Sequence, residues 1–128
     1  MYILNLEDNV FKHNDIFKAI STCGCGKPDI EWVRNLEEGL ERIQEQIAQK
    51  NPYDLIITDM WYPKRAGGSD HDSGEELIKT VQDNGWNIPI ILCSSVNYRF
   101  PGILGAVHYS KNEDWEQELV ALIKQLCQ

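Results

Sequence analysis

The chain has 128 residues, 42% of them hydrophobic and 25% charged, with 12 Lys+Arg against 20 Asp+Glu and a formal net charge of −8. That length fits a single domain over residues 1–128, and folding at this size buries roughly two-thirds of the chain's surface. A uniformly acidic body repels nucleic acid and anionic membranes, and the longest apolar stretches, such as Ile88 to Cys93, fall far short of the roughly 20 residues that span a bilayer.

Met1 is followed at once by Tyr2-Ile3-Leu4 with no basic segment. We therefore expect no signal peptide, a cytoplasmic location and reduced thiols. Tyr2–Leu6 is the first of five short apolar runs with strand character, and an irregular helical pattern follows through Ile16, Phe17 and Ile20. The segment Thr22-Cys23-Gly24-Cys25-Gly26 holds two thiols close together. Zinc needs four ligands, usually as two pairs. No second Cys/His pair accompanies Cys23 and Cys25, so the segment reads as a glycine-rich loop. Cys93 and Cys127 read as small core or near-surface residues.

Ile30–Val33 is the second strand. Leu36, Leu40, Ile43 and Ile47 then fall on one helical face, with Glu37, Glu41 and Glu45 elsewhere. Asn35 can cap this helix with Glu38 at capping-box spacing, and Asn51-Pro52 ends it. Leu55–Thr58 is the third strand. A helix starting near Ser73 carries Leu77, Ile78 and Val81 before Asn84-Gly85. Ile88–Cys93 and Ala106–Tyr109 are the last strands. Trp115, Leu119, Leu122, Ile123 and Leu126 mark the final helix, with Glu113 and Asp114 near its positive end. Strands alternating with helices predict an α/β fold, a doubly wound parallel sheet covered on both faces.

Two strands end in acid: the first runs into Glu7-Asp8 and the third into Asp59. Sites in doubly wound sheets form beyond the carboxyl ends of the strands. If strands one and three are neighbours, the three carboxylates meet in one crevice. Their mutual repulsion raises at least one pKa unless a cation relieves it. Mg²⁺ suits a few carboxylates and keeps waters for an incoming phosphate. The plainer alternative is that acids end strands because loops are polar.

Glu7-Asp8, Asp59 with Pro63 four residues on, Gly74-Glu75-Glu76-Leu77, Ser94 and Lys111 occur in one order along the chain. In that order the chain resembles bacterial response-regulator receiver domains over essentially its whole length. The resemblance implies a five-stranded sheet in the flavodoxin-like order 2-1-3-4-5. It further implies Mg²⁺ held by Asp8, Asp59, the acid Glu7 and the backbone carbonyl of Trp61. Asp59 would accept a phosphoryl group from a histidine kinase, a phosphotransfer protein or a small phosphodonor. Ser94 and Lys111 would bind the phosphoryl oxygens. A carboxylate nucleophile, positioning and cationic stabilisation are what such a transfer needs.

The chain departs from that pattern in two places. Residues 64–73, Lys64-Arg65-Ala66-Gly67-Gly68-Ser69-Asp70-His71-Asp72-Ser73, form a longer turn than the family's and read as a polar loop. Lys111 is followed by Asn112 rather than proline, and Tyr109 stands two residues before it rather than three.

The expectation is a stand-alone, Mg²⁺-dependent phosphoacceptor, not an enzyme beyond its own phosphoryl transfer. Its phosphorylation would switch binding to a downstream protein, with no nucleic acid or membrane as direct partner. The departures near Lys111 keep a second possibility open, a receiver-like interaction module that works without phosphorylation. A phosphohydrolase with an aspartate nucleophile would place a second aspartate where Trp61 stands. A flavin carrier would need a hydroxyl- and glycine-rich loop in place of Glu7-Asp8-Asn9.

Only eleven residues, Ser95 to Gly105, separate Ser94 from Ala106, and Phe100-Pro101-Gly102 falls among them. Proline removes a backbone donor, and glycine costs a helix about 1 kcal/mol relative to alanine. We expect the fourth helix to be absent or one turn long. Tyr98, Arg99 and Phe100 become either partner contacts or cover for the sheet.

Overall fold

Residue alternation decides which way each strand of the sheet faces. In the computed structural model, which describes residues 1–127, β1 (Tyr2–Leu6) turns Ile3 to one side and Leu4 and Leu6 to the other. Its parallel neighbours are β2 (Asp29–Val33) and β3 (Leu55–Thr58), in the registers Leu6↔Val33 and Leu6↔Thr58. Beyond β3 come β6 (Ile90–Ser94) and β7 (Gly105–His108). The sheet order is β2-β1-β3-β6-β7. Counting only the five parallel strands, that is the expected 2-1-3-4-5.

The inner strands β3 and β6 are buried along their whole length, as apolar strands covered on both faces must be. One face carries Ile3, Ile57, Ile91 and Val107 against α1 (Val10–Ser21) and α4 (Trp115–Leu126). Ile16 and Ile20 from α1 pack there with Leu119 and Ile123 from α4. The opposite face carries Leu4, Leu6, Ile56 and Ile90 against Leu36 and Ile43 of α2 (Leu36–Ala48) and Leu77, Ile78 and Val81 of α3 (Ser73–Asp83). Asn35 caps α2 as expected, its side chain accepting from Glu38 N–H at 2.9 Å. No helix among the described residues is long and apolar enough to cross a membrane.

No helix forms between β6 and β7. Phe100 and Ile103 lie half-buried against the α2–α3 core instead, so Phe100 serves as cover for the sheet. Gln82 at the end of α3 donates to the Pro101 carbonyl at 3.1 Å and pins the segment.

Two expectations need correction. Residues 64–73 are not all loop: β5 (Asp70–His71) pairs antiparallel with β4 (Tyr62–Pro63), closing a small hairpin. The thiols are not all reduced either. Cys25, after α1, and Cys127, at the end of α4, form a disulfide with Cα atoms 5.9 Å apart, because α1 and α4 lie side by side on one face of the sheet. Cys23 and Cys93 are free and buried, and burial pushes the Cys93 thiol up to about 12.

Candidate functional site

Parallel pairing of β1 with β3 puts the residues just past both strands side by side. Asp59 N–H donates to the Leu6 carbonyl at 3.1 Å, and Glu7 N–H donates to Val33 at 3.1 Å. Backbone bonds thus carry the sheet one residue beyond β1 and β3. Glu7, Asp8 and Asp59 consequently converge, each offering a carboxylate oxygen within 4.8 Å of the others'.

The three acids are held differently. Glu7 is 1% exposed, its Oε2 accepting from Asn9 N–H at 3.2 Å. Trp32, stacked on His13, donates its indole N–H to the Glu7 carbonyl at 2.6 Å. Asp8 is half-buried, and Arg34 donates to its backbone carbonyl at 3.0 Å. Asp59 is also half-buried, and Met60 N–H donates to its Oδ1 at 2.7 Å. The first turn of α3 packs directly against this turn. A side chain at Gly74 would collide with the Asp59 carbonyl and come within 2.8 Å of Met60 Cα, so glycine is required by the close approach.

Electrostatics in the crevice follow from burial. Burial, reinforced by Asp59 and opposed by Lys12, raises Glu7 to about 7. Burial also raises Asp8, and the charge of Asp70 adds to the effect. Asp70, on the hairpin, is thus close enough to Asp8 to act on its charge.

The cation in the crevice is Lys12, which the sequence reading missed. Its Nζ lies 2.9 Å from Glu7 Oε1 and 3.2 Å from Asp59 Oδ1, and donates to the Cys93 carbonyl at 2.6 Å. The Glu7 contact is a charge contact without hydrogen-bond alignment, leaving Glu7 Oε1 buried and without a hydrogen-bond donor. A signal for Lys12 did exist. It stands four residues before Ile16 and shares the buried stripe of α1 with Ile16, Ala19 and Ile20. A lysine on an apolar helical face is one that must find anions.

The other anticipated residues divide. Ser94 is buried at the end of β6, next to the Cys93 carbonyl on which Lys12 rests, and its Oγ accepts from Val96 N–H at 3.3 Å. Trp61 is 46% exposed, its indole N–H donating to the Tyr98 hydroxyl at 2.7 Å. Lys111 is exposed in the turn before α4 and makes no ion pair among the described residues. The Tyr109 ring points inward, 5.4 Å from Lys12 Nζ, with its hydroxyl donating to Asp15 Oδ2 at 2.6 Å.

The donor set fits a divalent cation. Three carboxylates less one ammonium leave two negative charges, and the orphaned Glu7 Oε1 is a hard oxygen of the kind Mg²⁺ takes.

No protein-family model matches the chain, and no curated protein matches it in sequence. Its fold does match solved structures. The Mn²⁺-bound response regulator Rcp1 is similar at a TM-score of 0.69 and 18% identity, over 94% of this chain and 89% of that one. A response regulator receiver protein from Pseudoalteromonas atlantica gives 0.69 and 18%, over 97% and 94%. The receiver domain of the histidine kinase CKI1 from Arabidopsis thaliana, complexed with Mg²⁺ and BeF₃⁻, gives 0.66 and 20%, over 97% and 87%. The chain has the receiver-domain fold.

Proposed function

We propose that this receiver fold works as a phosphoacceptor in two-component signalling or a phosphorelay, with Asp59 as the acceptor. The observation that carries the reading is the asymmetry of the Asp59 carboxylate. Met60 N–H and Lys12 both hold Oδ1, which leaves Oδ2 as the oxygen that attacks. With acetyl phosphate, an Asp59 oxygen bonds to phosphorus, the P–O bond to acetate breaks, and acetate leaves with the electron pair. No proton moves. The protein's part is positioning and charge stabilisation. It is not otherwise an enzyme.

Glu7, Asp8, Asp59 and the Trp61 carbonyl would hold Mg²⁺. When bound, the ion offsets negative charge on the carboxylates and the incoming phosphoryl group. Ser94 Oγ, at the end of β6, is the hydroxyl for a phosphoryl oxygen. The partners are a cytoplasmic histidine kinase or phosphotransfer protein upstream and a protein downstream whose binding changes on phosphorylation.

A second reading has one observation in its favour. Lys12 already pairs with both Glu7 and Asp59, as it would in an interaction module that is never phosphorylated. Incubation with acetyl phosphate and Mg²⁺ followed by intact-mass measurement separates the two. Gain of one phosphoryl mass supports the acceptor, and an unchanged mass supports the interaction module.

A further inference from the structure

The geometry points to Lys12, on the first turn of α1, as the ammonium that serves the phosphoryl group on Asp59, in place of Lys111 after β7. This inference rests on Asp59 being the phosphoacceptor and adds which cation acts there.

An ammonium has three donors and no acceptor; Lys12 Nζ donates to the Cys93 carbonyl at 2.6 Å and lies in ion-pair contact with Glu7 Oε1 at 2.9 Å and Asp59 Oδ1 at 3.2 Å. Nζ therefore touches the reacting carboxylate directly and sits beside the strand end that carries Ser94. Its approach is fixed by α1 itself, since Asn9 Oδ1 caps the helix by accepting from Phe11 N–H at 2.9 Å and Lys12 N–H at 3.2 Å. The Tyr109 ring closes the site at 5.4 Å from Nζ, and the Tyr109–Asp15 bond holds that ring to the same helix.

Burial decides which lysine matters. Lys12 is 6% exposed, where two charges interact far more strongly than in water. Lys111 is exposed, where solvent and salt screen its charge. Phosphorylation turns the Asp59 carboxylate into a neutral acyl oxygen plus a dianionic phosphoryl group, so the charge Lys12 pairs with shifts outward along the same side chain. The ammonium follows without gaining or losing a proton.

The test measures the rate of Asp59 labelling by acetyl phosphate and Mg²⁺, using intact mass, in the wild type, Lys12→Gln, Lys12→Arg and Lys111→Ala. Loss of one preorganised donor to a reacting oxyanion slows a reaction on the order of 100-fold, which is the loss expected for Lys12→Gln. Lys12→Arg should recover part of the rate, and Lys111→Ala should label at the wild-type rate. Circular dichroism establishes that each variant is folded, and Mg²⁺ titration by calorimetry should show ion binding retained in Lys12→Gln. A purely structural lysine would leave the labelling rate of the folded variant unchanged, and that result overturns the assignment. Should Lys12→Gln not fold, Lys111→Ala decides: wild-type labelling supports Lys12, and a comparable loss overturns it. A wild type that takes no label overturns both the acceptor reading and this one, whereas a labelled wild type with an equally labelled Lys12→Gln overturns this one alone.

Discussion

Two crossovers of the same sheet have opposite character. Between β1 and β2 the chain makes a twelve-residue helix, α1, that carries a buried cation into the crevice. Between β6 and β7 it makes no helix, and Phe100 and Ile103 cover the sheet from an irregular segment. The comparison teaches that a parallel sheet needs apolar cover on both faces but not helical cover. The regular helix α1 does more than cover: it fixes the position of a charged group. The irregular segment is still tied to the site's rim, through Trp61 and the Tyr98 hydroxyl.

The largest effect lies on the α1 side. Asp59→Asn keeps the size of the side chain and removes the attacking oxygen, so acid-stable, base-labile label should vanish entirely. Label that persists, or that peptide mapping places on His71, breaks the acceptor assignment.

Next in size is a pH dependence of the metal-free protein. Glu7 stands at about 7 in the folded chain, above an ordinary value of 4.5, because it is buried. Between those values the folded state keeps a proton that the unfolded state has released. Stability from this group is therefore full below about 4.5 and is lost as pH rises through about 7, by on the order of 3 kcal/mol. Urea unfolding in a chelating buffer across that range measures it, and Glu7→Gln should flatten the profile. A wild-type profile that rises with pH would contradict the burial argument.

Mg²⁺ should offset much of that loss. A ligand at a hundredfold excess over its Kd adds about 2.7 kcal/mol to the folded state, visible as a raised melting temperature that Asp8→Asn largely abolishes. A melt indifferent to millimolar Mg²⁺ would count against the carboxylate cluster. The smallest effect belongs to the irregular crossover. Tyr98→Phe removes the acceptor for Trp61 Nε1 and should cost under about 1 kcal/mol with no change in labelling rate; a large loss of labelling would mean that this rim participates in the site.

What could be read from the sequence followed from how local each signal was. Continuous apolar runs gave away β3 and β6, and acids directly after β1 and β3 gave away the crevice. Phe100-Pro101-Gly102 announced the missing helix because proline and glycine act on their own backbone. Lys12 escapes an apolar pattern that starts at Ile16, because a charged residue does not register in a hydrophobic period although it occupies the same stripe one turn back. The hairpin of β4 and β5 has two residues per strand, too few for any alternation to appear. The Cys25–Cys127 bond spans 102 residues, and nothing near either cysteine announces its partner.

That bond also sets how the molecule would bear a mechanical load. Pulled by its two ends, an unbridged chain of 128 residues lengthens to roughly 450 Å at about 3.5 Å per residue. With Cys25 joined to Cys127, everything between them is short-circuited, and only about 25 residues can pay out, roughly 90 Å. Those residues are β1, the acids that follow it, and α1 with Lys12. Tension on the oxidised protein thus runs along the strand and helix that build the crevice, while the backbone of the other four sheet strands is bypassed and cannot be drawn out.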